Sequence, residues 1–253
     1  MKIRVLGCYG GVAPGMYPPC FLIDGKLAVD AGALTSALDL REQEKLRMVL
    51  LTHSHFDHIK DIPFLVDNLV GRHNTPFRIV AGKETLKAFE KHIFNNLIWP
   101  DFRVLPTPEN PVVIFESLDI GSFQDLPPYL VKAVRVNHTP GSVGFIIKRG
   151  KKAVGFSGDT GPTDRFWKEL NETEELKAVF VETSFPNALK GIAVASKHLT
   201  PHMLKEELQK LKRSVDVFVY HLKPAFVSVI KEELMEIRDR RVRVVEQGEV
   251  LEI

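Results

Sequence analysis

A short segment directly after an apolar run carries four side chains of the kinds that bind metal ions. In LLTHSHFDH these are His53, His55, Asp57 and His58. The preceding RMVLLT is apolar and compatible with a β-strand, so the segment lies where a buried strand meets a loop. Alternate residues of an extended chain share a face, which lets His53 and His55 converge on one ion while Asp57 and His58 turn toward a second. Solvated or core histidines explain the cluster less well, because four buried groups would compete for partners.

The overall composition is that of an ordinary globular protein. Of the 253 residues, 44% are hydrophobic and 26% are charged, which argues against disordered, collagen-like and membrane classes. The formal net charge is +2, and Lys and Arg are spread along the chain, so a nucleic-acid partner is unsupported although not ruled out. Cys8 and Cys20 lack CxxC spacing, and we expect free thiols in a reducing compartment.

We expect a cytoplasmic enzyme with no membrane partner. The first residues, MKIRVLGCYGG, contain no apolar core long enough for a signal peptide. No stretch approaches the ~20 apolar residues that a bilayer requires. The sequence leaves a homodimer open.

Strand and helix signals alternate along the chain and predict an α/β fold. Thr200 is a good N-cap and Pro201 suits a first helical position, so a helix should begin just after His198. Residues 99–128 are rich in proline but contain the strand-like VVIFESLD, which indicates a loop-rich insertion within a single domain spanning residues 1–253. Trp99 and Phe102 are expected to pack in the core. Further helices are predicted over LTSALDLREQEKL, KETLKAFEKHIFNNLI and RFWKELNETEEL.

The chain resembles the metallo-β-lactamase superfamily beyond this one motif. His138 in VNHTPGSVGF, Asp159 in GFSGDTG and His221 in VFVYHLKP match its remaining ligands in the right order, and Asp30 matches a supporting position. The resemblance implies a four-layer αββα sandwich with two divalent metal ions at one edge. Zn²⁺ is expected, and Mn²⁺ or Fe²⁺ also suit these ligands. The implied ligands are His53, His55 and His138 for one ion, Asp57, His58 and His221 for the other, and Asp159 as the bridge.

The last third of the chain points to the substrate. The segments VFVETSFPN, ASKHLTPHMLKEEL and VYHLKP resemble class II cyclic-nucleotide phosphodiesterases and, more distantly, tRNA 3′-processing endonucleases. The resemblance carries over Glu182 and His198 as catalytic positions. The alkoxide of a phosphodiester is a poor leaving group, so an imidazole that donates a proton assists the reaction. A carboxylate behind the imidazole orients it and raises its pKa.

The leading hypothesis is hydrolysis of a small phosphodiester, a 3′,5′-cyclic nucleotide in the first place, by hydroxide attack at a binuclear metal centre. The first rival is tRNA 3′ processing, for which the chain lacks a long basic arm. Lactone or thioester hydrolysis would leave Glu182 and His198 without a purpose. A non-catalytic metal-binding module is disfavoured because all seven ligands are present, and an iron redox protein is disfavoured because the chain has no room for a flavin-binding segment.

Overall fold

The computed structural model describes residues 1–253 as a mixed α/β fold. The strands are β1 (Lys2–Gly7), β2 (Cys20–Ile23), β3 (Leu27–Val29), β4 (Met48–Leu51), β5 (Phe77–Ala81), β6 (Pro106–Thr107), β7 (Asn110–Pro111), β8 (Val113–Ser117), β9 (Phe123–Leu126), β10 (Tyr129–Arg135), β11 (Val143–Arg149), β12 (Lys152–Phe156), β13 (Leu176–Glu182), β14 (Asp216–Tyr220), β15 (Val242–Val244) and β16 (Val250–Glu252). The α-helices are α1 (Leu34–Ala37), α2 (Leu40–Gln43), α3 (Phe56–Ile59), α4 (Ile62–Asn68), α5 (Lys83–His92), α6 (Arg165–Asn171), α7 (Lys190–Ser196), α8 (Pro201–Leu208) and α9 (Val227–Leu234).

Two seven-stranded sheets form the centre of the fold. Their strand orders are β16-β1-β2-β3-β4-β5-β8 and β15-β14-β13-β12-β11-β10-β9. One apolar cluster contains residues of both sheets and therefore lies between them, a second joins the first sheet to α1, α4 and α5, and a third joins the second sheet to α6, α8 and α9. Helices thus cover the outer face of each sheet, which confirms the predicted four-layer αββα order.

Strand β13 shows why the central strands are apolar through most of their length. Successive side chains of a strand point to opposite faces. Phe180 faces the cluster between the sheets, whereas Val179 and Val181 face the helices. Phe180 stacks on Phe156 at 4.6 Å between ring centroids, and Phe21 of the other sheet lies 5.1 Å from Phe180. These aromatic contacts pack the two sheets against each other close to the carboxyl ends of β12 and β13.

Several helices are shorter than the sequence predicts. The segment from Leu34 to Gln43 breaks into α1 and α2 because Asp39 caps a new helix, accepting a hydrogen bond from the backbone N–H of Glu42. Helix α5 ends at His92, short of the predicted end at Ile98, because the Asn95 side chain accepts from the backbone N–H groups of Leu97 and Ile98 and forms a local turn instead. Helix α7 was not predicted from the spacing of apolar residues in the sequence. None of the helices is both long and apolar enough to cross a bilayer.

The proline-rich stretch from 99 to 128 holds more structure than predicted. Beyond the expected strand β8, it contains the two-residue strands β6 and β7, and β9 as an edge strand of the second sheet. Phe102 is buried and Trp99 packs against the same cluster, so the prediction of core packing is confirmed. Cys8 and Cys20 are both free and buried, as expected, and burial raises the pKa of Cys8 to about 12.

Candidate metal centre

The predicted ligands lie at one edge of the sandwich because the strands before them end there. Strands β12, β13 and β14 are mutually parallel, and β10 runs in the same direction because it is antiparallel to β11, which is antiparallel to β12. His138, Asp159 and His221 follow the carboxyl ends of β10, β12 and β14, and Glu182 is the last residue of β13. His53 follows β4 of the first sheet. The structure thus brings together all seven predicted ligands.

One group of donors combines the first two histidines of the motif with the second sheet. The ligand atoms of His53, His55, His138 and Asp159 lie within 4.8 Å of one another. The Nε2 atoms of His53 and His138 are 3.7 and 3.9 Å from Oδ2 of Asp159. His138 Nε2 is 3.1 Å from His55 Nδ1. His55 is the exposed member, so the group opens to solvent on its side.

A second group lies against the other oxygen of Asp159. It consists of Asp57, His58 and His221, whose ligand atoms also lie within 4.8 Å of one another. Nε2 of His58 and Nε2 of His221 are 3.3 and 3.2 Å from Oδ1 of Asp159, and His221 Nε2 is 3.5 Å from Oδ2 of Asp57. Because its two oxygens face different groups, Asp159 is placed to bridge them.

The donor set fits divalent cations. Oδ1 of Asp159 and Nε2 of His53 are buried atoms without a hydrogen-bond partner, and buried polar atoms are seldom left unpaired. Donors bonded to one tetrahedral ion at ~2.1 Å stand roughly 3.4 Å apart, close to the 3.2 to 3.9 Å separations between Asp159 and its histidines. Within each group, the separations of these nitrogens and oxygens suit ligands of a shared cation.

Burial and mutual charge set the protonation of the cluster. Burial, with the neighbouring histidines, lowers the pKa of His138 to about 4 and that of His53 well below its ordinary value. Burial alone would raise the pKa of Asp159, but the positive charges of His221 and His58 outweigh it and lower that pKa. His58 is the exception, since Asp159 and Asp30 outweigh burial and raise its pKa. A proton and a cation therefore compete for His58.

Asp30 supports the centre from the first sheet. Its carboxylate accepts from the backbone N–H of Thr52 at 2.9 Å and lies 2.8 Å from Nδ1 of His58. The Thr52 hydroxyl also contacts Nδ1 of His53 at 3.0 Å. Such partners fix the ring orientation of a metal-ligating histidine and leave Nε2 free for the ion. Asp30 has the supporting position expected from the sequence, whereas Thr52 was not anticipated.

Glu182 and His198 form a buried pair beside the cluster. Nδ1 of His198 lies 2.6 Å from Oε1 of Glu182, and both side chains are buried. Burial alone would lower the pKa of His198, but the adjacent carboxylate outweighs it and the pKa is raised. The rings of His138 and His221 are 4.9 and 5.4 Å from that of His198. Because Nδ1 faces Glu182, Nε2 is the nitrogen left for a substrate.

Two further residues that the sequence did not single out connect this pair to the ligands. The Ser184 hydroxyl lies 2.8 Å from Nδ1 of His221 and 3.1 Å from Nδ1 of His198. Lys197 has a left-handed backbone, with φ of 57°, so that its carbonyl accepts from Nδ1 of His138 at 3.1 Å while its ammonium donates to the His138 carbonyl at 2.8 Å. Ser184 lies two residues after Glu182 in an extended segment, which was a usable signal; nothing in the sequence marks Lys197.

The glycine-rich segment after β1 borders the same edge. The backbone N–H of Gly10 donates to the carbonyl of Leu222 at 3.0 Å. A Cβ at Gly10 would lie 2.5 Å from the His221 carbonyl oxygen, so a side chain cannot be accommodated. The segment therefore packs against the backbone of a predicted ligand and forms a rim loop of the site.

Sequence comparison bears on the family of this site. The family model described as "Beta-lactamase superfamily domain" matches residues 21–221, which include every residue of the two donor groups. The chain belongs to the metallo-β-lactamase superfamily. It is a metal-dependent hydrolase of this superfamily, in which the His/Asp cluster indicates divalent metal binding.

Individual superfamily relatives include phosphodiester hydrolases. The 3′,5′-cyclic-nucleotide phosphodiesterase 1 of Saccharomyces cerevisiae is 25% identical over 234 residues, covering 76% of this chain and 62% of that protein. The chain thus spans less than two thirds of that relative's length. The crystal structure of unliganded yeast PDE1 matches 100% of this chain and 99% of its own, with a TM-score of 0.82 and 22% identity. Human tRNase Z, short form, matches 100% and 99%, with a TM-score of 0.73 and 18% identity.

Proposed function

We propose that the protein is a phosphodiesterase that opens a small cyclic phosphodiester, a 3′,5′-cyclic nucleotide in the first place. The observation that carries the proposal is the buried Glu182–His198 pair beside the two donor groups. The alignment with the yeast cyclic-nucleotide phosphodiesterase supports the same substrate class. Hydrolysis of a thioester does not call for a donor of this kind, because a thiolate departs without being protonated.

Each part of the site has a role in this reaction. His53, His55 and His138 would hold one divalent ion, Zn²⁺ in the first place, and Asp57, His58 and His221 a second, with Asp159 between them. Two such ions, when bound, would supply an activated water and neutralise charge on the phosphoryl group.

His198 would then donate the proton on Nε2 to the departing ester oxygen. Glu182 stabilises the protonated ring through its 2.6 Å contact with Nδ1, and fixes which nitrogen faces the substrate. Ser184 holds the rings of His198 and His221 at a constant separation, since its hydroxyl contacts Nδ1 of both. The donor therefore stays aligned with the ligand next to it.

The geometry also offers a rival role for His198. Its ligand atom lies within 4.8 Å of those of Asp159 and His221, so it could serve as a ligand rather than as a proton donor. Replacing His198 with Ala separates the two roles. We expect metal content to stay unchanged and phosphodiester turnover to fall by ~10² or more. His202→Ala is the matched control, because His202 is exposed on α8 and should tolerate the change. Loss of metal from His198→Ala would contradict the role as donor.

The substrate itself is tested by comparing cyclic AMP and cyclic GMP with a precursor tRNA, a lactone and a thioester on metal-reconstituted protein. A cyclic nucleotide carries one charge, so its turnover should change little between low and physiological salt, whereas binding of a polyanion weakens steeply as salt rises. We expect cyclic nucleotides to be opened to monophosphates and the tRNA to be cut poorly. Efficient 3′ trimming of the tRNA, without opening of any cyclic nucleotide, would overturn the proposal.

A further inference from the structure

Lys223 lies two residues after His221 and is anchored beside the proton donor. Its backbone N–H donates to the carbonyl of Ser184 at 3.2 Å. The Ser184 hydroxyl in turn contacts Nδ1 of His198 and Nδ1 of His221. The backbone of Lys223 is therefore fixed relative to both the donor and the adjacent predicted ligand.

The ammonium of Lys223 is held over the aromatic ring of Phe185. Nζ lies 5.9 Å from the centroid of the Phe185 ring, within cation–π range. The Phe185 ring meets that of His198 edge to face at 5.8 Å. Phe185 thus connects the lysine to the donor, and both Phe185 and Lys223 are half-buried.

This ammonium has no protein partner for its charge. No carboxylate lies within 4.0 Å of it, and no side chain or carbonyl accepts a hydrogen bond from it. Lys197, the other lysine at this edge, differs because its ammonium donates to the His138 carbonyl at 2.8 Å. Glu182 is the nearby buried carboxylate, and its oxygens are already taken by His198, Ser184 and two backbone N–H groups. Lys223 is left free to bind an anion.

The position favours an anion that also reaches the metal centre. A half-buried ammonium over an aromatic face is only partly hydrated, so its attraction for a negative oxygen exceeds that of a fully solvated lysine. A phosphodiester carries one negative charge, shared by its two non-bridging oxygens. A phosphodiester bound here would direct one of these oxygens to the donor groups, the other to Lys223 and the ester oxygen to His198. A neutral lactone or acyl ester offers no such charge.

We propose that Lys223 is a substrate-binding residue whose ammonium pairs with a non-bridging oxygen of the phosphodiester, and that Phe185 holds that ammonium in place. The inference rests on the proposed function and names a residue that makes this site select anionic phosphoryl substrates over neutral ones. Binding energy from this pair is available in the ground state as well as during reaction. Its loss should therefore raise KM and leave kcat nearly unchanged.

The test compares Lys223→Met, which keeps the stem but loses the charge, with Lys205→Met as a matched control at an exposed lysine of α8. Metal-loaded proteins are titrated with inorganic phosphate by calorimetry and assayed with cyclic AMP and with neutral p-nitrophenyl acetate. We expect Lys223→Met to raise the Kd for phosphate and the KM for cyclic AMP about tenfold, with unchanged metal content and unchanged turnover of the neutral ester. Lys223→Arg should restore most of the binding.

Two results would overturn the inference. One is phosphate binding by Lys223→Met as tight as that of the parent protein. The other is loss of metal or of neutral-ester turnover in that variant, which would indicate a structural role. If the parent protein opens no cyclic nucleotide but Lys223→Met still weakens phosphate binding, the proposed substrate is wrong and the anion-binding role of Lys223 stands.

Discussion

Replacing Glu182 with Gln tests the link between this buried carboxylate and the protonation of His198. One oxygen of Glu182 accepts from His198 Nδ1 and the backbone N–H of Thr160, at 2.6 and 3.1 Å. The other accepts from the Ser184 hydroxyl and the N–H of Leu199, at 3.1 and 3.4 Å. A Gln oxygen can keep the first pair of contacts. Its NH₂ group can donate to the Ser184 hydroxyl once that hydroxyl has turned its hydrogen away. It cannot accept from the backbone N–H of Leu199, so this N–H loses its acceptor.

The expected magnitudes follow from these contacts. Leaving the Leu199 N–H unsatisfied and removing the charge should lower the free energy of unfolding by about 2 kcal/mol. For a chain of this size that corresponds to a fall in Tm of roughly 4 to 8 °C. We expect kcat to fall about tenfold, less than for His198→Ala, because the imidazole remains in place but loses its charged partner. Metal content should not change.

The pH dependence provides the sharper test. Glu182 raises the pKa of His198 against the opposing effect of burial, and His198 must be protonated to donate. Without the carboxylate this pKa falls, so the alkaline limb of the kcat profile should move to lower pH. A raised pKa contributes stability that is fully present below the ordinary histidine value of about 6.5 and is lost as pH rises through the folded pKa. The destabilisation by Glu182→Gln should therefore be largest at acidic pH and shrink at alkaline pH.

The chain contains a matched control for this experiment. Glu206 and His202 form an exposed pair on α8, 3.5 Å apart, so Glu206→Gln makes the same chemical change away from the site and should alter neither kcat nor the pH profile. Turnover of a cyclic nucleotide is measured across pH together with thermal unfolding. A fall in kcat without movement of the alkaline limb would refute the argument that Glu182 sets the protonation of His198.

Two further predictions concern the ligands and the rim loop. Asp159→Ala should lower the content of both ions, measured by elemental analysis, because each donor group faces one of its oxygens; retention of two tightly held ions would contradict the bridging role. Gly10→Ala should displace His221 and lower both metal content and Tm, since its Cβ would lie 2.5 Å from the His221 carbonyl, whereas Gly191→Ala meets open space and should be tolerated. Equal Tm values for the two variants would contradict this prediction and would show that the segment after β1 can shift to accommodate the added Cβ.

The sequence predicted that these seven side chains would lie together, as they do in the structure, because strand ends bring distant residues to one edge. The spacing of His53, His55, Asp57 and His58 indicated the centre. The family resemblance implied His138, Asp159 and His221, and the strands before them are apolar enough to be recognised from periodicity. The strand and helix order of the αββα sandwich was predicted from the same apolar segments. Metal occupancy and the assignment of each ligand to an ion stay predictions.

What the sequence missed depends on local backbone geometry rather than on pattern. Helix α5 stops early because of the Asn95 side chain, a competition between side-chain and backbone hydrogen bonds that apolar spacing does not register. Lys197 contributes through a left-handed backbone that a lysine seldom adopts, so its residue type gives no warning. The sequence could not predict the unpaired ammonium of Lys223, because that depends on which carboxylates lie near it in the folded chain.

The division of ligands between the two sheets has a mechanical consequence. The loop after β4 of the first sheet, together with helix α3 that follows it, contains four of the donors, and the strand ends of the second sheet contribute His138, Asp159 and His221. Each ion would take donors from both sheets. Bonds of ~2 Å to these donors would fix the distance between the two sheets at this edge. The free energy of metal binding is then also free energy of sheet-to-sheet cohesion. Rim residues such as Phe56, which lies beside His55 and is 69% exposed, can be substituted without altering the set of donors. Substrate preference can therefore diverge at the rim while the spacing of the reactive centre stays constant.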